Sequence, residues 1–135
     1  MTYEEMLKLQ SKAKTRRKPK NDEHKLQSAA FKWFRLQYPK MIHNLFAIPN
    51  AAKRTARVGA YMKEEGLLPG VADVVLMKSN RFYGACFFEF KTHKGRQSES
   101  QKEWQQKITN DGYKYVIVRS LDEFKKEINQ YLADD

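Results

Sequence analysis

Residues 70–95, GVADVVLMKSNRFYGACFFEFKTHKG, contain two short apolar runs rich in β-branched and aromatic residues, separated by a polar break. Such a pattern constrains the fold more than any other part of the chain, because it demands two adjacent strands joined as a hairpin. Val74 and Leu76 share one face of the first strand, with Asp73 and Val75 on the other. Lys78 to Arg81 make the connection, and Tyr83 to Lys91 form the second strand. Each run holds a carboxylate where a buried strand normally has a hydrophobic residue: Asp73 heads the first and Glu89 lies within the second. Side chains alternate along a strand, so Glu89 and Lys91 project together, while Cys86, Phe88 and Phe90 point the other way. Cys86 is therefore read as a core residue. Asp73 reaches the surface of Glu89 only in a suitable pairing register, which the sequence leaves open.

The flanking segments supply helices. Thr2 and Glu5 have the spacing of a capping box, and Pro19 within TRRKPKND is expected to break the helix they start. That divides the chain into a basic arm, 1–20, and one domain, 21–135. A helix is expected from about Asp22 to Tyr38, with Leu26, Ala30, Trp33 and Phe34 at helical spacing. A weak strand follows over Met41–Ile48, then a helix over 52–65 carrying Val58, Tyr61 and Met62 and stopped by Gly66. Ser98 to Asn110 reads as a helix with Trp104 and Ile108 inward and Gly112 as its stop. YKYVIVRS is a third clear strand, and a last helix starts at Ser120 with Phe124, Ile128 and Leu132 as its stripe. This order predicts an α/β fold, a small mixed sheet flanked by helices, with a right-handed crossover through 98–110. Trp33 and Trp104 are assigned to the core.

At 135 residues and 41% apolar, the chain can bury a core without staples. One cysteine excludes an internal disulfide and fits a reducing compartment. No apolar run approaches membrane-spanning length, so the expectation is a soluble, cytoplasmic protein without membrane partners. The net charge of +10 favours a polyanionic partner, nucleic acid above all. Residues 1–20 hold seven Lys or Arg against two Glu, half of that excess. No glycine-rich phosphate loop points to a nucleotide cofactor, and no Cys/His spacing points to zinc. The His and Asn pattern of an HNH nuclease is missing, and His93 is read as a surface or phosphate-contacting residue.

Two carboxylates converging at one end of a sheet repel unless a cation lies between them. Oxygen-only donors select Mg²⁺ or Mn²⁺, and a nearby lysine can orient a water for attack on phosphorus. An acidic-x-Lys triplet is cheap, however. It occurs here at Glu23, Glu89 and Glu123, and the last repeats the tripeptide EFK on a helix, where i and i+2 do not face each other. Only the copy at Glu89 lies in a strand preceded by a second acidic strand head.

The surrounding residues add specificity. GLLPGVAD followed by EFKTHKGRQSESQKEW resembles the signature of the VRR-NUC (virus-type replication-repair nuclease) family of the PD-(D/E)xK nuclease superfamily, whose stand-alone members are small and often phage-encoded. The likeness runs from about Asp22 to Ile128. It takes in Glu23 and Gln27, IPN ending at Asn50, Arg54, Gly70, Asp73, Glu89-x-Lys91, Gly95-Arg96, Ser98-x-x-Gln101 and the closing GYKYVIVRS. It implies a restriction-endonuclease-like core with Asp73, Glu89 and the backbone carbonyl of Phe90 as ligands of Mg²⁺ or Mn²⁺. Lys91 would position the nucleophilic water, Gln101 would support the site, and Glu23 would assist metal or water. Lys53, Arg54, Arg57, Lys94 and Arg96, basic residues on either side of the acidic centre, would hold the DNA backbone. Ala72 stands where the superfamily's name has proline, a departure of backbone shape rather than chemistry. The family further implies a homodimer acting as an endonuclease on branched DNA such as four-way junctions. The alternative is a non-catalytic DNA-binding protein on the same fold. A sequence-specific restriction enzyme would need a recognition segment for which there is little room.

Overall fold

A computed structural model of the chain describes the backbone of residues 2–49 and 56–135, and their side chains apart from those of residues 7–21. Its longest element is helix α1, Tyr3–Gln37, 35 residues. The Thr2 hydroxyl accepts from the Glu5 N–H at 3.2 Å while the Glu5 carboxylate accepts from the Thr2 N–H at 3.1 Å, closing the expected capping box. The expected break at Pro19 is absent: the helical backbone runs through it. An interior proline costs about 3 kcal/mol of helix stability. Here it lies in a run of Leu, Lys, Gln, Ala and Arg, which are strong helix formers. The start of the helix is capped, and its other end is anchored by Ala30 and Phe34 in the core. Residues 2–20 therefore continue the first helix of the domain instead of forming an extended linker.

Strands β1 (Leu45–Ala47), β2 (Val74–Leu76), β3 (Cys86–Phe90) and β4 (Lys114–Val118) form one sheet in that order. The β1–β2 and β2–β3 pairs are antiparallel and β3–β4 is parallel. This is the hairpin and crossover expected of a small mixed sheet. Helix α2 (Ala56–Glu64) lies between β1 and β2 in the chain, helix α3 (Glu99–Asn110) carries the parallel crossover, and helix α4 (Leu121–Ala133) closes the fold. Among the described residues no helix is long and apolar enough to cross a membrane.

The two faces of the sheet have different jobs. On one, Leu45, Val74, Leu76, Cys86, Phe88, Phe90 and Val118 pack against Ala30 and Phe34 of α1 and Phe124, Ile128 and Tyr131 of α4. Phe124 is central, meeting the rings of Trp33, Phe88 and Phe90 at 5.0 to 6.0 Å. The burial of Cys86 pushes its thiol up to about 12, as befits an inert core residue. On the other face, Trp104 of α3 meets Phe87 edge-on at 4.9 Å and Tyr115 at 6.0 Å. Both tryptophans thus pack as the sequence implies.

Two glycines with positive φ frame the approach to β2. A Cβ on Gly66 (φ 107°) would meet nothing within 4 Å, whereas one on Gly70 (φ 88°) would fall 2.4 Å from the backbone oxygen of Ser100 in α3. Gly66→Ala should therefore cost only the conformational strain of that region, about 1–2 kcal/mol. Gly70→Ala should cost clearly more, because backbone cannot yield as a flexible side chain does. Urea melts of both variants check this; equal losses would mean that the contact with α3 does not hold the loop.

Candidate metal and catalytic site

The register resolves what the sequence leaves open. Val74 pairs with Phe88 across the β2–β3 hairpin, so Asp73, one residue before β2, falls opposite Glu89. The Asp73 backbone oxygen accepts from the Ile48 N–H at 2.8 Å, on the β1 side. Its carboxylate turns towards β3, where Oδ2 accepts from the Phe90 N–H at 2.8 Å. In the antiparallel pattern the next rung would have joined Phe90 to Ala72. The Asp73 side chain takes that donor instead and ends the ladder beside Glu89. Because N–H and C=O of one strand residue leave on the same side, the Phe90 carbonyl also opens towards Asp73.

Glu89 is fully buried, and among the core residues it alone carries a charge. It lies on the α3 face of β3, and so do Tyr115 and Ile117 of β4, through the parallel register Phe87 to Tyr115 and Glu89 to Ile117. The Tyr115 hydroxyl donates to Glu89 Oε1 at 2.6 Å, while Glu89 Oε2 is buried with no hydrogen-bond partner. Burial holds the Glu89 carboxyl above the usual carboxylate range. The Tyr115 hydrogen bond and the Lys91 ammonium oppose this, Asp73 adds to it, and Gln97 again opposes it. Burial, then the neighbouring Glu89, raises the Tyr115 phenol in turn. Gln97 lies beside both groups, but its Nε2 donates to Gln105 Oε1 at 2.8 Å. The geometry therefore leaves Oε2 open.

Lys91 is half-buried just beyond β3, with its N–H donating to the Val118 carbonyl at 3.0 Å. A Cβ on Gly95 would sit 3.3 Å from Lys91 Cδ, so the glycine leaves room for the lysine stem. The following loop is tied down by Arg119, whose Nη1 donates to the carbonyls of Thr92 and Gly95, both at 2.8 Å. Lys94, Arg96 and His93 are exposed on or next to it, and Arg57 is exposed on α2. Lys53, Arg54 and Asn50 lie outside the described residues. Gln101 is in the first turn of α3, where its Oε1 accepts from the Ser98 N–H at 2.8 Å and closes a capping box.

Glu23 is half-buried on α1. Its neighbours His24 and Gln27 line a groove of about 450 Å³ with β1 residues, including Ala47, which pairs with Val74 next to Asp73. Among the described residues no three His, Cys, Asp or Glu side chains converge to hold a metal ion, so Glu23 does not join Asp73 and Glu89 in one cluster. The structure thus brings together Asp73, Glu89 and Lys91. It adds Tyr115, Gln97 and Arg119, which motif reading missed. Tyr115 had one available signal: it lies in the strand expected beside β3, two residues from Ile117, at the parity that shares the face of Glu89.

The arrangement has the fold of a solved VRR_NUC domain protein. The two are 21% identical, with a TM-score of 0.72, over 83% of this chain and 88% of that one. No family model and no curated protein matches the chain. The likeness is one of fold.

The donor set fits a hard divalent cation. Two carboxylates face each other, one has a buried oxygen without a partner, and a backbone carbonyl opens on the same edge; magnesium takes one or two carboxylates and fills its remaining positions with water or phosphate oxygen. Without a cation, Glu89 ionises more readily in the unfolded chain than in the folded one. The stability it contributes is complete below the ordinary carboxylate pKa and is lost as pH rises towards the raised folded value. Glu89→Gln, which cannot ionise and still offers Tyr115 an acceptor, should therefore melt higher than the parent protein in EDTA. The gap should widen as pH rises from 4 to 8. A gap that stays constant or narrows over this range would contradict the account of Glu89.

Proposed function

We propose that this chain is a VRR-NUC-type nuclease that hydrolyses phosphodiester bonds in DNA with Mg²⁺ or Mn²⁺. The observation that carries the reading is the fully buried Glu89, with an unpartnered oxygen, opposite Asp73 and flanked by Lys91. A DNA-binding surface gains nothing from carboxylates facing phosphate, and a stable core gains nothing from a buried, half-satisfied acid. Both features make sense where a cation is held against a phosphate.

Asp73, Glu89 and the Phe90 carbonyl would hold the ion. When bound, it supplies Lewis-acid chemistry, drawing charge from a phosphoryl oxygen and making water more acidic. Lys91, beside Glu89, orients the attacking water and offsets charge that grows on the phosphate. Gln101 steadies the first turn of α3, while Glu23 on α1 stands outside the carboxylate pair. Arg57, Lys94 and Arg96, with Lys53 and Arg54, contact the sugar-phosphate backbone and set the strand over the carboxylates. A two-fold pair of subunits would present two such sites, suited to paired cuts in a four-way junction.

The test is cleavage of a labelled four-way junction, a linear duplex and a single strand in Mg²⁺, Mn²⁺ or EDTA. Metal-dependent cutting is expected, with paired symmetrical cuts in the junction. Asp73→Ala, Glu89→Ala and Lys91→Ala should each lose at least about 100-fold in rate. The two carboxylate variants should bind DNA as well as the parent protein or better, since each removes a negative charge. Equal cutting of all three substrates would retain the nuclease and remove the junction preference. Tight binding without cutting in any metal would identify a DNA-binding protein on a nuclease fold.

A further inference from the structure

Tyr115 has no place in the motif that points to Asp73, Glu89 and Lys91, yet it makes the shortest polar contact at the site. Its hydroxyl donates to Glu89 Oε1 at 2.6 Å from the parallel neighbour strand. The ring is wedged against Trp104 of α3, with centroids 6.0 Å apart, and its backbone is fixed by pairing with Phe87. The other carboxylate oxygen, Oε2, is equally buried and has no partner. The two oxygens of Glu89 are thus made unequal by the fold: one is already engaged, the other is available.

We propose that Tyr115 is a positioning residue that makes Glu89 a single-oxygen ligand and so biases the site towards small octahedral cations. This rests on the metal-site reading above. The physical argument concerns coordination geometry. Mg²⁺ and Mn²⁺ suit octahedral sets of oxygen donors, and Mg²⁺ tolerates little departure from that geometry. Ca²⁺ accepts six to eight oxygens at longer and more variable distances, bidentate carboxylates among them. A carboxylate with one oxygen pinned by a buried hydroxyl offers the single donor that the octahedral ions need. It withholds the second oxygen that Ca²⁺ could use. Groups that orient a metal ligand in this way typically change metal affinity 10- to 100-fold when removed. Gln97, held by Gln105 at 2.8 Å, borders the same pair and limits where the carboxylate can turn.

Tyr115→Phe deletes only the hydroxyl and keeps the ring against Trp104. Mn²⁺, Mg²⁺ and Ca²⁺ binding should be measured by calorimetry on the parent protein, on Tyr115→Phe and on Phe87→Leu, all without DNA. Phe87→Leu loosens the same aromatic layer, since Phe87 meets Trp104 at 4.9 Å, but leaves the hydroxyl in place. The expected result is about a tenfold or greater loss of Mn²⁺ and Mg²⁺ affinity in Tyr115→Phe, with Ca²⁺ affinity falling less or rising. The Mn²⁺ to Ca²⁺ affinity ratio should be unchanged in Phe87→Leu, even if its melting temperature drops. Unchanged affinities in Tyr115→Phe, or an equal fall for all three ions, would overturn the positioning role while leaving the metal site standing. A parent protein that binds none of the ions would overturn both.

Discussion

The hydrogen bond from the Phe90 N–H to the Asp73 carboxylate is the point on which the site turns. A hairpin that simply continued would join Phe90 to the backbone at Ala72 and carry Asp73 outward as an ordinary side chain. Here the side chain replaces the rung, the ladder stops, and two carboxylates face each other at the open end of β2 and β3. Ala72, the residue before Asp73, is buried.

Holding Glu89 in such a place is unfavourable in the absence of a cation. A buried ion carries a desolvation penalty of several kcal/mol, and Tyr115 satisfies only one of its oxygens. The opposite face of the sheet offsets this with a dense aromatic cluster, Phe34, Phe88, Phe90, Phe124 and Tyr131, all at most 2% exposed. β3 therefore carries two patterns on one strand. Cys86, Phe88 and Phe90 bind it to α1 and α4, and the alternate positions serve the site. Neither pattern can slip by one residue without exchanging the core for the carboxylate.

Much of this was legible in the sequence because it depends on local rules. Strand alternation separated Glu89 from Phe88 and Phe90, and capping spacings marked the starts of α1 at Thr2 and α4 at Ser120. The limits of local reasoning are equally specific. Pro19 signals a break in isolation, but the helix formers around it and the anchored C-terminal half of α1 outweigh one missing hydrogen bond. The Glu123 carboxylate has the spacing of a capping box with Ser120, yet it accepts from the Arg119 N–H at 2.7 Å, a partner set by how the chain leaves β4. Tyr115 and Gln97 were missed because their roles arise from a parallel register and a loop path spanning some 25 residues. No motif spacing encodes those.

Arg119 shows how the same strand completes the arrangement. β4 is parallel to β3, so its end arrives beside the end of β3, at the level of Lys91 and the loop beyond it. One guanidinium nitrogen, Nη1, then holds the carbonyls of Thr92 and Gly95 together. Fixing those carbonyls fixes the glycine that makes room for the Lys91 stem. Lysine loses considerable rotamer entropy when it is confined, and a site that needs its ammonium beside Glu89 gains if the confinement is built before substrate arrives. β4 thereby sets both neighbours of the acidic pair: Tyr115 limits the freedom of Glu89 from within the sheet, and Arg119 limits that of Lys91 from its edge. The parallel strand that the hairpin alone would not require is what gives the two facing carboxylates and the loop after Lys91 their fixed neighbours, the kind of support that the proposed site would need.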